Sequence, residues 1–116
     1  MQLPHAETAV ISEAKIVDYL LNPQHPDGAG KARFFLSAGF QVTRWQILAD
    51  AIRELAKHSL VTRQLDSTHG RKYIVEGSIE TPDGCKATIR TVWIADGDNP
   101  TPRLVTAYPL QPKGQS

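Results

Sequence analysis

The sequence has little of what most catalytic and membrane signatures require. It holds one cysteine, Cys85, so an internal disulfide and a cysteine-based zinc site are both excluded. A reducing compartment is the simplest home for such a chain, and a cytoplasmic location is expected. The four histidines (His5, His25, His58 and His69) are scattered without metal-ligand spacing, so no metal is expected. No apolar run approaches the roughly 20 residues that cross a bilayer. The opening residues, Met1 to His5, lack the basic and apolar regions of a signal peptide, and no membrane association is expected. Runs of one charge are missing too. Thirteen Lys+Arg stand against twelve Asp+Glu, a formal net charge of +1, spread evenly along the chain. That argues against a binder of duplex DNA, yet leaves room for a local grip on one or two phosphates. Asp27-Gly28-Ala29-Gly30-Lys31 lacks the preceding strand and the following Ser/Thr of a P-loop. The carboxylates are dispersed, and no cofactor is expected.

What is present reads as one α+β domain over residues 1–116, with about three N-terminal helices packed on a C-terminal four-stranded antiparallel sheet. Residues 1–10 read as a loose lead-in. From Ser12, a good N-cap, Ile16, Val17, Leu20 and Leu21 recur at helical spacing until Asn22-Pro23 stops the helix. A second helix spans about Ala29 to Ala38, with Gly39 as its C-terminal glycine. Thr43 and Gln46 have capping-box spacing for a third, about Arg44 to His58, whose apolar face holds Ile47 or Leu48, Ala51, Ile52, Leu55 and Ala56. The period then falls to two. Leu60–Ser67, Arg71–Thr81, Cys85–Ala95 and Arg103–Leu110 read as strands, separated by His69-Gly70, Pro82-Asp83-Gly84 and a looser Asp96–Pro102 connection. Simple alternation puts Leu104, Thr106, Tyr108 and Leu110 on one face of the last strand, and Val105 and Ala107 on the other.

Three groups of residues could carry chemistry. His25 sits on the loop before the second helix, with Lys31 and Arg33 just inside it. A loop histidine at a helix start beside two cations can serve as general acid or base toward a phosphate. The same loop is equally a stiff turn with solvated cations. Thr106 and Tyr108, two apart on a strand, can hold a phosphate oxygen or a nucleobase, or simply fill a half-buried face. His69, Arg71, Lys72, Arg90 and Arg103 form a basic set on strands and turns. Arg90, in mid-strand, needs solvent or a partner and could clamp a pentavalent phosphate; Lys72 or Arg103 could instead blunt a sheet edge. Cys85, after a tight turn, reads as a small strand residue.

The stretches Leu20–Gly28, Lys31–Phe35, Lys72-Tyr73, Thr81–Gly84, Arg90–Trp93 and Pro102–Pro109 resemble a bacterial domain family of unknown function. More distantly, helices followed by a four-stranded antiparallel sheet resemble the ribonuclease superfamily that groups barnase, EndoU, colicin nucleases and RelE-type toxins. Thr106-Ala107-Tyr108-Pro109 is similar to the hydroxyl and tyrosine near the chain end of EndoU-like members. The resemblance implies a metal-independent endoribonuclease, the toxin of a toxin–antitoxin or related system. Its RNA substrate, tRNA included, would be cut by 2′-hydroxyl attack. It implies catalytic roles for His25, Lys31, Arg90, Thr106 and Tyr108, with Arg33, His69, Lys72 and Arg103 as substrate-binding residues. EndoU-type sites use two histidines, and only His69 could be the second. An antitoxin or immunity protein would then be the partner. The balanced charge keeps open the alternative of a non-catalytic interaction module: an antitoxin, immunity or scaffold domain.

Overall fold

A computed structural model describes residues 1–110. Helix α1 (Glu13–Lys15) begins as expected at Ser12, whose hydroxyl accepts the Lys15 N–H. It then widens into a π-helical turn, Ile16–Leu20. Helix α2 (Ala29–Ser37) is followed by Gly39 at φ 103°, where a side chain would be strained. Helix α3 (Trp45–His58) buries Leu48, Ala49, Ile52, Leu55 and Ala56, whereas Ile47 faces solvent. Its start differs from expectation. The capping box does not form, because Thr43 lies within a 3-10 turn, Val42–Arg44, and Arg44 takes the N-cap position without a side-chain cap.

Strands β1 (Val61–Ser67), β2 (Gly70–Glu80), β3 (Lys86–Ala95) and β4 (Arg103–Pro109) form an antiparallel meander in the order β1-β2-β3-β4. One face is the core face, carrying Tyr73, Val75 and Ile79 from β2, Ile89, Thr91, Trp93 and Ala95 from β3, and Leu104 and Ala107 from β4. Helix α3 packs against β2 at Gly77, where a Cβ would stand 2.5 Å from the Ser59 hydroxyl. Thr91 is buried but satisfied: its hydroxyl donates to the Val75 carbonyl at 2.9 Å and accepts the Trp93 indole N–H at 2.8 Å. Trp93 can therefore be wholly buried without an orphaned donor.

Two differences from simple pattern reading decide where side chains point. The register shifts opposite Val92/Trp93, so that Thr106 pairs with Val92 while Leu104 pairs with Trp93, leaving Val105 as the extra residue. This bulge turns Leu104 into the core beside Ala107, instead of placing it with Thr106 and Tyr108, because one extra residue reverses the alternation. Nor are the first ten residues loose. Leu3, Ala6 and Ala9 are buried, Val61 N–H donates to the Met1 carbonyl, and Val10 bonds both Pro102 and Leu104 through its backbone. The segment bridges the chain entering β1 to the start of β4 and adds its apolar side chains to the core. Among the described residues no helix is long and apolar enough to cross a membrane.

Candidate functional site

The second face of the sheet is polar. Cross-strand partners in an antiparallel sheet share a face, so Glu76, Arg90 and Tyr108 form one row across β2, β3 and β4. Ile74, Val92 and Thr106 form the next, and Lys72, Ile94 and Arg103 the one beyond. Helices α1 and α2 lie against β4, which lets side chains from the front of the chain reach this face.

Lys31 is where they meet. Its ammonium donates to the Thr106 hydroxyl at 3.1 Å and also to the Tyr19 phenol, which itself lies 3.2 Å from the Thr106 oxygen. Three side chains from the π turn, α2 and β4 thus close a triangle. The Lys31 ammonium also stands 4.8 Å from the Tyr19 ring centroid and 5.9 Å from that of Tyr108. Lys15, one turn before Tyr19, places a second ammonium 5.0 Å from the Tyr19 ring. On the other side of Tyr108, Arg90 donates to the phenol oxygen at 3.2 Å and pairs through Nε with Glu76.

His25 joins through its ring, edge-on to Tyr19 with centroids 4.8 Å apart. Its Nδ1 accepts the Asp27 N–H at 3.0 Å, so the neutral ring carries its hydrogen on Nε2. Gly28 makes this packing possible: a Cβ there would stand 2.8 Å from the Tyr19 carbonyl and 3.0 Å from its ring. Helix α2 could not approach the π turn so closely with any other residue.

The electrostatics follow. Partial burial would raise the pKa of Tyr19, but the hydrogen bonds from Lys31 and Thr106 and the charges of Lys31 and Lys15 outweigh it, and the phenol lies below its ordinary range. Arg90 is held more firmly protonated by Tyr108 and then Glu76.

The five residues singled out for catalysis (His25, Lys31, Arg90, Thr106 and Tyr108) therefore lie in one continuous chain of contacts. The four expected binding residues divide. Lys72 and Arg103 share the polar face, flanking Ile94, with Arg103 paired to Asp96 at 2.8 Å. Arg33 is exposed on α2, two residues beyond Lys31 and so about 200° round the helix. His69 is exposed in the β1–β2 turn, five residues from Ile74 in the row of Thr106 and therefore roughly 17 Å away along the strand. It cannot be the second histidine of a site built around Lys31. Sequence reading missed Tyr19, Lys15 and Glu76. The available signal for Tyr19 was its position off the apolar stripe of its helix, four residues after Lys15. Nothing local marked Glu76 as the partner of Arg90, because only the register joins them.

Residues 2–111 match a family model described as a domain of unknown function. The chain belongs to the DUF6883 family. No curated protein matches its sequence. Among solved structures, this DUF6883 chain is similar to a chain of a contact-dependent growth inhibition toxin–immunity protein complex from Klebsiella pneumoniae 342. The match has a TM-score of 0.68 at 14% identity and covers 88% of this chain and 100% of that one. At that identity the likeness is one of fold.

Proposed function

We propose that this DUF6883 domain is a metal-independent endoribonuclease, the toxin of a toxin–antitoxin or contact-dependent system, acting on RNA in the cytoplasm. The observation that carries the reading is the Lys31 ammonium, held between two phenols and a hydroxyl drawn from elements far apart in sequence, on the polar face of the sheet. The solved complex with a similar fold is named for a toxin and its immunity protein, which is consistent with this reading and with its alternative.

The arrangement can divide the work of RNA cleavage. Tyr19, its phenolate favoured by Lys31 and Lys15, takes the proton from a ribose 2′-hydroxyl. The 2′-oxygen bonds to the adjacent phosphorus while the bond from phosphorus to the 5′-oxygen breaks. Lys31 stabilises the charge on the phosphorane oxygens, a role of the kind that contributes most in such sites. Arg90 holds the Tyr108 oxygen as a donor, so the phenol's own hydrogen is free to protonate the departing 5′-oxygen. With Nδ1 engaged by Asp27, His25 offers Nε2–H to a phosphate oxygen, and Thr106 offers a second contact. The products are a 2′,3′-cyclic phosphate and a 5′-hydroxyl. A cognate antitoxin or immunity protein, acidic where it meets Lys31, Lys72, Arg90 and Arg103, would cover this face.

Purified protein incubated with RNA, tRNA included, in the presence of EDTA tests the proposal. Expected are fragments ending in cyclic phosphate, formed far more slowly with Lys31→Met and with Tyr108→Phe. Intact RNA with folded wild-type protein, together with unimpaired growth on expression, would overturn it. The interaction-module reading has its own support: the cations of the cluster are already paired with protein groups, which also suits a clasp fixing the front of the chain to β4. It predicts a stable complex with one specific protein and no RNA change under any condition.

A further inference from the structure

The two edges of the sheet are finished differently. Along β4 the edge is closed: Val10 bridges Arg103, its carbonyl accepts the Leu104 N–H, and helices α1 and α2 lie against the strand. Along β1 it is taken only at the start, where Gln2 bridges Leu60 and the Val61 N–H donates to the Met1 carbonyl. Among the described residues, no backbone group pairs with the outer side of β1 from Arg63 to Ser67. We propose that a second copy of the chain docks here, edge to edge and antiparallel, about a two-fold axis through Leu65. Nothing in this pairing depends on the nuclease reading.

The hairpin fixes which backbone groups are free. The two-residue turn Thr68-His69 closes on the Ser67–Gly70 pair, and bonded and non-bonded pairs alternate from there. Ser67, Leu65 and Arg63 therefore spend their N–H and C=O groups on β2. The Ile74 carbonyl, opposite Arg63, accordingly faces β1, where it also accepts the Thr62 hydroxyl. Gln64 and Asp66 turn theirs outward. A two-fold axis perpendicular to the sheet keeps the polar faces of both copies on one side and must pass through a residue of the strand. An axis at Asp66 would set two carboxylates against each other. One at Gln64 or before would put the second copy where Met1 already lies opposite Val61. Leu65 is left, the midpoint of the open stretch. Through it, Gln64 meets Asp66 of the second copy twice, each pair exchanging both backbone bonds. Asp66 gives Oδ1 to Arg71 and keeps Oδ2 for the incoming carboxamide. Arg63 faces Ser67, so no like charges oppose one another, and Leu65, 37% exposed, covers its own counterpart. So short a pairing belongs with the small, weak interfaces, and the dimer should be reversible. It would set both Lys31 clusters on one surface, with the two β4 strands seven strand spacings, or about 34 Å, apart.

Sedimentation equilibrium of the intact chain over a concentration series, with amide exchange at Gln64 and Asp66, tests the pairing. We expect a monomer–dimer equilibrium and protection of both amides that grows with concentration. Gln64→Pro removes an outward N–H and none of the bonds to β2, a place where an edge strand accepts proline. It should weaken the dimer at least about tenfold. Leu65→Lys, which brings two ammonium groups together at the axis, should weaken it too. Gln64→Lys, set against Asp66 of the second copy, should strengthen it several-fold, a gain that misfolding cannot produce. The register has its own check. Antiparallel partners in a non-bonded pair have Cα atoms about 4.5 Å apart, within reach of a disulfide. With the exposed Cys85 replaced by Cys85→Ser, Leu65→Cys should therefore link two chains on oxidation, and Arg63→Cys should not. A monomer at every concentration up to about 1 mM, or a dimer untouched by both Gln64→Pro and Leu65→Lys, overturns the proposal. So does protection of the two amides that arises only when a different protein is added.

Discussion

The two faces of the sheet are built from alternate residues of the same strands and spend their polar groups in opposite ways. On the core face Thr91 and Trp93 satisfy each other and the Val75 carbonyl within β2 and β3, and nothing from that network reaches solvent. On the polar face Glu76, Arg90, Tyr108 and Thr106 bond outward along the row and across to Lys31 and Tyr19, and all remain partly accessible. The first arrangement makes one packed state more stable than its competitors. The second gathers charge where a ligand can exchange for protein contacts. Substitutions on the core face should therefore move stability, and substitutions on the polar face should move the proposed RNA chemistry.

Trp93→Ala should break the comparison hardest, costing about 3–5 kcal/mol. That is a large fraction of the roughly 5–15 kcal/mol typical of a folded domain, and urea unfolding should show it directly. Lys31→Met, on the proposed reaction, should lower the cleavage rate about 10²–10³-fold and shift the unfolding midpoint little. Equal losses of stability and rate in this variant would identify Lys31 as a clasp. Thr91→Val is subtler. It keeps the shape but orphans the Trp93 N–H and a lone pair of the Val75 carbonyl, and should cost about 1–3 kcal/mol. RNA cleavage measured below the melting temperature should stay within a factor of two or so, because neither partner touches the polar face.

The sequence made the class of fold and the four strands legible because the hydrophobic period changes from about 3.6 to 2 near Leu60. Ser12 and Gly39 were readable for local reasons: a hydroxyl one turn ahead of a free N–H, and a glycine where the backbone turns left-handed. The convergence of His25, Lys31, Arg90, Thr106 and Tyr108 was legible only through a resemblance, since no spacing rule brings residue 31 to residue 106. What stayed hidden depends on long-range geometry. The bulge at Val105 carries no glycine to announce it, yet it alone sends Leu104 inward. Tyr19 faces Thr106 because of the π turn and the gap left by Gly28, and neither is visible as periodicity. Residues 1–10 pair with strand ends whose positions are set elsewhere in the chain. Thr43 showed the converse, a correct local signal overridden by the 3-10 turn that brings the chain into α3.

The smallest expected effect is also the most specific. Tyr19 titrates below the ordinary phenol range, so at pH values between its folded and unfolded pKa the unfolded chain binds more protons than the native one. Stability should then rise with pH across that window, and this contribution should be lost as pH falls through the folded pKa of Tyr19. If the phenolate is the base, the cleavage rate should climb through the same pKa and level off above it. Tyr19→Phe removes both slopes at once, while Lys15→Met removes one of the charges that favour the phenolate and should move both toward higher pH. No clasp explains a rate limb that shifts with Lys15, because Lys15 touches Tyr19 only through its ring. A rate that is flat with pH in the wild type, while the spectroscopic titration of Tyr19 shows its lowered pKa, would take the base role from Tyr19 and leave Lys31 acting alone on the phosphate.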